Sequence, residues 1–400
     1  MKIIYLSSVC AQKRFDRLTI EGKIKKMPQA QKYHHLLIEG LQEVADEALT
    51  VISSYPIVGG SRMVYKTERE NESGVTYCYP GFVQIPVLRQ LCLILNTVRL
   101  IFSCLNRNAI IVCDILNGSV CYAARFVRFF RKVKVVGIVT DVPGLTSGAR
   151  AKLLPWWRKV LGKCVAPLMK QSLDKYDGYL LLTEAMNDVV NLKQKPYIVI
   201  EGHSDITMKD RKNLLEKKSP VKNIMYAGGT HKEFGMALLV DSFLALGNEE
   251  WELHIYGDGN YQHELTRISR EYPNVKYFGM KPNSEIVEKQ LQAWALVNPR
   301  ISNAEYVKYS FPSKTLECMA SGTPLLTTRL AGMPKDYYPY VYLFEDETQE
   351  GFVKSLRKVF ALSAEELHEF GVAAKAFAIE QKNNISQAQK FYDFLKTIHR

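Results

Sequence analysis

The sequence lacks the features that mark several broad classes of protein. Its eight cysteines show no CxxC or CxxH spacing, so neither a zinc site nor a disulfide framework is indicated. No uncharged apolar run approaches the ~20 residues of a membrane span, because Arg89 and Arg99 interrupt the best candidate, residues 85–102. The apolar run at residues 3–6 is too short for the core of a signal peptide. We therefore expect a cytoplasmic protein with free thiols.

Acidic residues are scarce in one long stretch. Residues 83–170 contain 14 Lys and Arg but only 2 Asp and Glu, so their net charge of +12 equals that of the whole chain. A basic face on an otherwise balanced protein indicates a polyanionic partner, either nucleic acid or an anionic membrane surface.

Paired tryptophans lie inside this basic stretch. Trp156 and Trp157 are followed by Arg158, Lys159 and Lys163 on a predicted helix. Indole rings favour the bilayer interface, and each nearby cation is attracted to an anionic leaflet. We interpret these five residues as a membrane and acceptor contact. The alternative is that the tryptophans lie in the core while the cations line a solvated face.

Short apolar runs alternate with longer helical stretches along the chain. The first series of runs lies at residues 3–6, 49–52, 110–113, 135–139 and 179–182. A polar stretch at 205–222 follows, and then a second series at 224–227, 253–256, 275–278, 295–297, 324–327 and 341–344. Such alternation predicts two α/β domains, each with a parallel sheet covered by helices on both faces.

Residues 296–324 predict a binding turn for a phosphate and a ribose. Pro312, Ser313 and Lys314 are typical of a helix start, with Ser as a good cap, and Gly322 is typical of its end. The free amides and the positive dipole end of a helix suit an anion, and Lys314 adds a mobile charge there. Glu317, one turn further on, can accept hydrogen bonds from a vicinal diol.

Two further strand ends carry candidate site residues. Gly228 and Gly229 follow the strand at 224–227 and precede Lys232, an arrangement that lets a diphosphate approach the backbone. For any single residue of this loop, a tight turn that needs glycine for its geometry alone is an equal alternative. Asp141 follows the strand at 135–139, where its carboxylate can bind a sugar hydroxyl or accept a proton from an acceptor hydroxyl.

The run Glu-Cys-Met-Ala-Ser-Gly-Thr-Pro at residues 317–324 resembles the donor-binding signature of the family 4 glycosyltransferases, of a polysaccharide-assembly type. The resemblance implies an α/β, GT-B fold, in which two Rossmann-like, doubly wound parallel-sheet domains face each other across a cleft. It places the acceptor-side domain at residues 1–203, with a helix at about 382–400 packing back on it. The nucleotide-sugar donor domain then covers residues 204–381.

The resemblance also assigns roles to single residues. Glu317 inherits the family's ribose-binding acid, whereas the family's first acid falls at Tyr309. Either Glu305 reaches the sugar from the loop, or backbone groups around Phe311 do this work. Phe311, Pro312 and Ser313 belong to the same donor-binding segment. The family's basic residues on the glycine loop fall at Gly229 and Phe234, so Lys232, Arg300 and Lys314 are expected to compensate.

The resulting expectation is a retaining, metal-independent hexosyltransferase without a cofactor, with Asp141, Glu305 and Lys314 as its catalytic residues. It would move a sugar from a nucleotide-diphosphate sugar to a lipid-linked or membrane-associated glycan acceptor in cell-surface polysaccharide synthesis. We expect it on the inner face of the membrane, bound peripherally to an anionic surface and to no nucleic acid. The alternatives are a GT-B sugar-nucleotide epimerase, or a non-enzymatic protein that binds nucleic acid or membrane through residues 83–170.

Overall fold

The computed structural model describes residues 1–23, 28–54, 63–142, 175–303 and 305–400. The chain divides into two compact units. Unit 1 comprises Met1–His203 together with Asn384–Arg400, and unit 2 comprises Ser204–Asn383.

The described residues form sixteen strands and twelve α-helices. The strands are β1 Lys2–Ser7, β2 Thr50–Ser53, β3 Val64–Tyr65, β4 Glu68–Glu72, β5 Val75–Tyr79, β6 Phe82–Val83, β7 Ala109–Asp114, β8 Lys134–Val139, β9 Gly178–Leu181, β10 Tyr197–Val199, β11 Lys222–Ala227, β12 Trp251–Tyr256, β13 Val275–Gly279, β14 Ala295–Asn298, β15 Leu325–Thr327 and β16 Tyr342–Leu343. The helices are α1 Gln12–Ile20, α2 Pro28–Val44, α3 Pro86–Cys104, α4 Gly118–Phe130, α5 Ala185–Val190, α6 Met236–Leu246, α7 Gln262–Glu271, α8 Asn283–Gln292, α9 Ser313–Ser321, α10 Gln349–Phe360, α11 Ala364–Gln381 and α12 Asn384–His399.

Unit 1 is built on an eight-stranded sheet in the order β10-β9-β8-β7-β1-β2-β5-β4. Its neighbouring strands are parallel except for β4, which runs antiparallel to β5 at the edge. The central strands β1 and β7 are apolar almost throughout and buried on both faces, as helix-covered parallel strands require. Helix α12 packs against α2 so closely that a Cβ at Gly40 would come within 3 Å of the Asn384 carbonyl oxygen.

Unit 2 contains a six-stranded parallel sheet in the order β13-β12-β11-β14-β15-β16. The first strand of the unit, β11, lies in the middle, and the chain changes direction across the sheet between β11 and β14. In open α/β sheets, ligands bind at such a switch point, outside the carboxyl ends of the two strands. The loops that follow β11 and β14 are therefore the place to examine for a site.

Helix α9 begins differently from the sequence expectation. Pro312 is the N-cap residue and Ser313 is the first residue of the helix, where it is exposed and makes no side-chain cap. Predicting Ser313 as the cap was wrong, because the extended backbone of Pro312 already opens the helix: its carbonyl accepts a hydrogen bond from the Thr315 N–H at 2.8 Å. The predicted end at Gly322 is correct, since this residue adopts φ +77° just after the helix.

Helix α3 is more apolar than its two arginines suggested. Within the described residues, Val87–Cys104 is one stretch that is long and hydrophobic enough to cross a membrane, judged by length and composition alone. Our expectation that the two arginines interrupt this run understated the length and hydropathy of the helix. Arg89 does not stand free on its surface, since its guanidinium carbon lies 4.8 Å from the centre of the Phe82 ring.

Candidate functional site

The loops that follow β11 and β14 touch at the switch point of unit 2. Gly235 ends the first loop with φ +81°, a conformation that disfavours other residues. A Cβ at this position would lie well within 3 Å of the Pro299 carbonyl oxygen, at the start of the second loop. Glycine is therefore required here on both counts, and it lets the two backbones meet.

The glycine pair after β11 is held by the neighbouring loop after β12. The Gly228 N–H donates to the Tyr256 carbonyl at 2.9 Å, so this amide is not open to a ligand. Gly257, with φ +128°, packs its Cα against the Gly228 carbonyl with no space for a side chain. The Tyr226 hydroxyl donates to the Gly229 carbonyl at 2.9 Å. The pair is thus a fixed, closely packed turn.

Lys314 projects from the first turn of α9 to this glycine turn. A Cβ at Gly228 would lie 3.2 Å from Lys314 Cε and 2.5 Å from the Tyr226 hydroxyl, so the missing side chain of Gly228 makes room for the lysine. Lys314 is half-buried, and no carboxylate among the described residues forms an ion pair with it. The amides of Ser313 and Lys314 also lie at the open start of the helix. Together they form a positive site suited to an anion.

Arg300 lies on the second loop, close to the glycine turn at Gly228 and Gly229. Its Nη2 donates to the Ser310 hydroxyl at 3.3 Å, and its guanidinium carbon lies 5.9 Å from the centre of the Phe234 ring. Burial raises the pKa of Tyr226, and the positive charge of Arg300 partly opposes this rise. Arg300 is therefore close enough to influence the hydroxyl that holds the glycine pair.

Glu317 occupies the same face of α9 as Lys314, three residues further along. Both side chains are half-buried. The pKa of the Cys318 thiol is raised to about 12, mainly by burial. The positive charge of Lys314 opposes this rise and the negative charge of Glu317 adds to it, so both charges lie near the sulfur. The structure thus places a cation and an acid one turn apart at the start of α9, as the phosphate and ribose prediction requires.

Other predicted donor-binding residues have mainly structural surroundings. Phe311 and Pro312 are buried, and the Phe311 ring packs 5.3 Å from the ring of Tyr337. Lys232 is exposed, and its backbone N–H donates to Asn260 Oδ1 at 2.9 Å. Phe311 therefore anchors the loop from within the core, while Lys232 extends into solvent.

The position expected for the family's first acid is a core residue. Tyr309 is only 6% exposed, and Lys308 Nζ lies 4.9 Å from the centre of its ring. Glu305 begins the 3₁₀ turn Glu305–Tyr309, but its side chain lies outside the described residues. Asp141 belongs to unit 1, where it follows β8 and is half-buried.

The predicted membrane contact lies outside the part of the chain that the structure describes. This applies to Trp156, Trp157, Arg158, Lys159 and Lys163. No group of three or more His, Cys, Asp or Glu side chains in the described ranges is arranged to hold a metal ion.

Sequence reasoning missed Tyr226 and Gly235 as residues that shape the site. The role of Gly235 depends on its contact with Pro299 in a loop distant in the sequence, whereas Tyr226 donates to the Gly229 carbonyl only three residues away. A glycine directly before an apolar helical run, as at Gly235, was the one local signal available.

Comparisons with known proteins give a family match and a set of structural likenesses. Residues 221–361 match the family model described as "Glycosyl transferases group 1". No curated protein sequence matches the chain significantly.

Solved structures resemble the whole chain at low sequence identity. Sucrose-phosphate synthase from Thermosynechococcus elongatus aligns with a TM-score of 0.69 and 11% identity, over 100% of this chain and 99% of that one. Anabaena HepE in complex with UDP gives a TM-score of 0.63 and 12% identity, over 99% and 100%. The lipopolysaccharide outer core galactosyltransferase WaaB gives 0.61 and 15%, over 99% of each chain.

Proposed function

We propose a specific reaction for this chain, which is a GT-B glycosyltransferase. It transfers a hexose from a nucleoside-diphosphate sugar to a lipid-linked or membrane-associated glycan, with retention of the anomeric configuration and without a metal ion or other cofactor. The product belongs to a cell-surface polysaccharide, and the enzyme works at the inner face of the membrane.

The position of Lys314 carries this proposal. Lys314 is half-buried and has no carboxylate partner among the described residues, so its positive charge can be completed by an anion. It lies at a helix start, beside a glycine turn and at the switch point of a doubly wound sheet. A diphosphate has the charge and size to complete such a site. The UDP bound to the structurally similar HepE supports the choice of ligand class.

The chemistry follows from these charges. The bond between the anomeric carbon and the diphosphate oxygen breaks, and negative charge develops on the leaving diphosphate. Lys314, Arg300 and the amides at the start of α9 stabilise that charge, because they are already oriented before the reaction. Glu317 holds the ribose hydroxyls. The acceptor hydroxyl oxygen bonds to the anomeric carbon, and its proton passes either to the Asp141 carboxylate or to an oxygen of the leaving diphosphate.

Asp141 is assigned to the acceptor in unit 1. Its carboxylate either takes the proton of the attacking hydroxyl or binds a sugar hydroxyl, and two variants separate these roles. Asp141→Asn keeps the hydrogen-bonding shape but cannot accept a proton, whereas Asp141→Ala loses both. If Asp141 acts as a general base, kcat should fall equally in both variants. A binding role predicts that Asn retains much more activity than Ala.

The lipid-linked acceptor is supported by the charge of one stretch and by one structural likeness. The net charge of +12 between residues 83 and 170 suits an anionic surface, and the lipopolysaccharide outer core galactosyltransferase WaaB has a similar fold.

Calorimetric titration with nucleoside diphosphates and the matching nucleosides tests the donor site. Lys314→Ala should weaken binding of the nucleoside diphosphate by about 1.5–3 kcal/mol, roughly 10- to 150-fold, and leave binding of the nucleoside nearly unchanged. The exposed Lys212→Ala is the matched control and should change the binding of both ligands much less. Equal losses for the two ligands in Lys314→Ala would place the phosphate charge elsewhere.

Product analysis tests the reaction itself. NMR of the glycan product should show the anomeric configuration of the donor, and EDTA should not lower the rate. Conversion of the nucleotide sugar into its epimer without any acceptor would instead identify an epimerase.

A further inference from the structure

Helix α3 exposes one continuous apolar stripe. Val87, Leu91, Leu95 and Phe102 follow the helical repeat, and the first three are 74%, 52% and 60% exposed. The opposite face, which includes Leu93, is buried in unit 1, and α3 packs along α4. The helix is therefore fixed along the surface of unit 1 and does not stand out from it.

Helix α4 exposes a second stripe, made of aromatic rings. Tyr122, Phe126, Phe129 and Phe130 recur at helical spacing, and Phe129 is 85% exposed. The Phe126 and Phe130 rings lie 4.8 Å apart and form a cluster in solvent. Such a cluster is costly in water unless another apolar phase covers it.

A basic pocket lies where the two helices end. It has a volume of about 550 Å³, and its lining includes Phe102 of α3 and the cations Arg107, Arg131, Lys132 and Lys134. The Arg131 guanidinium carbon is 5.9 Å from the centre of the Phe102 ring, so charge and apolar surface are adjacent. We name the two stripes and this pocket the α3–α4 surface.

The charge around this surface is mainly positive. Asp114 is the only acid between residues 83 and 134, and it is buried. Arg128 is neutralised by Asp177 at 2.9 Å, while Arg131, Lys132 and Lys134 are exposed. A partner with acidic groups beside an apolar phase would complement the surface in both respects.

We infer that the α3–α4 surface seats unit 1 on an anionic phospholipid bilayer. The side chains of the two stripes enter the interface, where aromatic rings are favoured, and the basic pocket binds lipid phosphate groups. The helices lie in the plane of the bilayer, because the second face of α3 is held inside unit 1. The inference gives a physical basis to the lipid-linked acceptor and is tested without nucleotide or acceptor, so that either idea can fail alone.

Vesicle sedimentation measures the proposed binding. The protein should bind phosphatidylcholine vesicles that contain about one third phosphatidylglycerol, bind pure phosphatidylcholine far less, and dissociate as salt rises. Phe129→Ser and the pair Arg131→Glu/Lys132→Glu should each weaken binding at least ~10-fold. Their nucleoside-diphosphate affinity should not change, and Lys314→Ala should bind vesicles normally.

Matched controls use exposed residues that belong to neither helix and do not line the basic pocket. Ile20 in α1 is 87% exposed, and Ile20→Ser should bind vesicles like the wild type. The pair Lys212→Glu/Lys217→Glu makes the same charge change on exposed positions of unit 2. If this pair weakens vesicle binding as much as the Arg131 and Lys132 pair does, the effect comes from net charge alone and the assignment is overturned.

Two other results would also overturn it. If the wild type ignores anionic vesicles at low salt, the surface has no role in membrane binding. If Phe129→Ser lowers the melting temperature by several degrees and leaves vesicle binding unchanged, another part of the same chain or a second copy of the chain covers the stripe instead. Sedimentation velocity then distinguishes these two occupants, since only a second copy makes the mass concentration-dependent.

Discussion

Replacing Gly235 with alanine tests whether the contact between the two loops builds the donor site. Gly235 and Gly247 both have left-handed φ angles, +81° and +65°, so alanine at either costs about 1–2 kcal/mol of backbone strain. At Gly247 nothing lies within 4 Å of the new Cβ, whereas at Gly235 the Cβ would overlap the Pro299 carbonyl. Relieving that overlap moves the second loop by roughly 1 Å and adds about 1–3 kcal/mol. We therefore expect a total of about 2–5 kcal/mol for Gly235→Ala.

Thermal unfolding and calorimetric titration measure the two consequences. At about 2–4 °C per kcal/mol for a unit of this size, Gly235→Ala should unfold distinctly below Gly247→Ala. It should also weaken nucleoside-diphosphate binding, because Arg300 and the start of α9 shift with the loop, while Gly247→Ala binds normally. Equal melting temperatures for the two variants, together with normal nucleotide binding by Gly235→Ala, would refute the structural reasoning.

Three further predictions follow from single side chains. Glu317→Ala should weaken binding of both the nucleoside and its diphosphate by about 1.5–3 kcal/mol in calorimetry, because the lost contact is to the ribose. An unchanged affinity in the folded variant would contradict this role. Burial lowers the pKa of His203 from 6.5 to about 3, so the unfolded state binds more protons between these values and unit 1 loses stability as the pH falls below 6.5. Urea titrations should show a flatter pH dependence for His203→Gln, and an unchanged slope would exclude this histidine as the cause. Tyr309→Asp, which restores the family's acid on paper, should lower the melting temperature and not raise activity, because it buries a carboxylate, while Tyr309→Phe should fold normally.

Much of the fold could be predicted from local patterns. The predicted GT-B fold is confirmed by the solved structures, and the apolar runs that predicted β1, β7 and β11 are strands of parallel sheets. The strand β4 was not foreseen. Its sequence, Glu-Arg-Glu-Asn-Glu, has no apolar alternation, because it lies at the sheet edge and pairs with β5 on one side only.

The site was only partly accessible from the sequence. The position of Lys314 at a helix start followed from neighbouring residues, since Pro312 and Gly322 mark both ends of a short helix. The fit of Lys314 against Gly228 did not, because 86 positions separate the two residues and only the sheet order brings their loops together. The same applies to Gly257, whose need for glycine comes from the Gly228 carbonyl and not from its own turn.

The return of the chain to unit 1 has a consequence for synthesis. Helix α12 supplies Ala388, Phe391, Tyr392 and Leu395 to the core of unit 1, although 180 residues of unit 2 precede it in the chain. Unit 2 is one uninterrupted segment and can fold as soon as it has emerged from the ribosome. The core of unit 1 remains incomplete, with one face of α2 uncovered, until α12 has been synthesised. The N-terminal half is therefore the later of the two to complete its core, and until then its apolar α2 face is exposed to aggregation during translation.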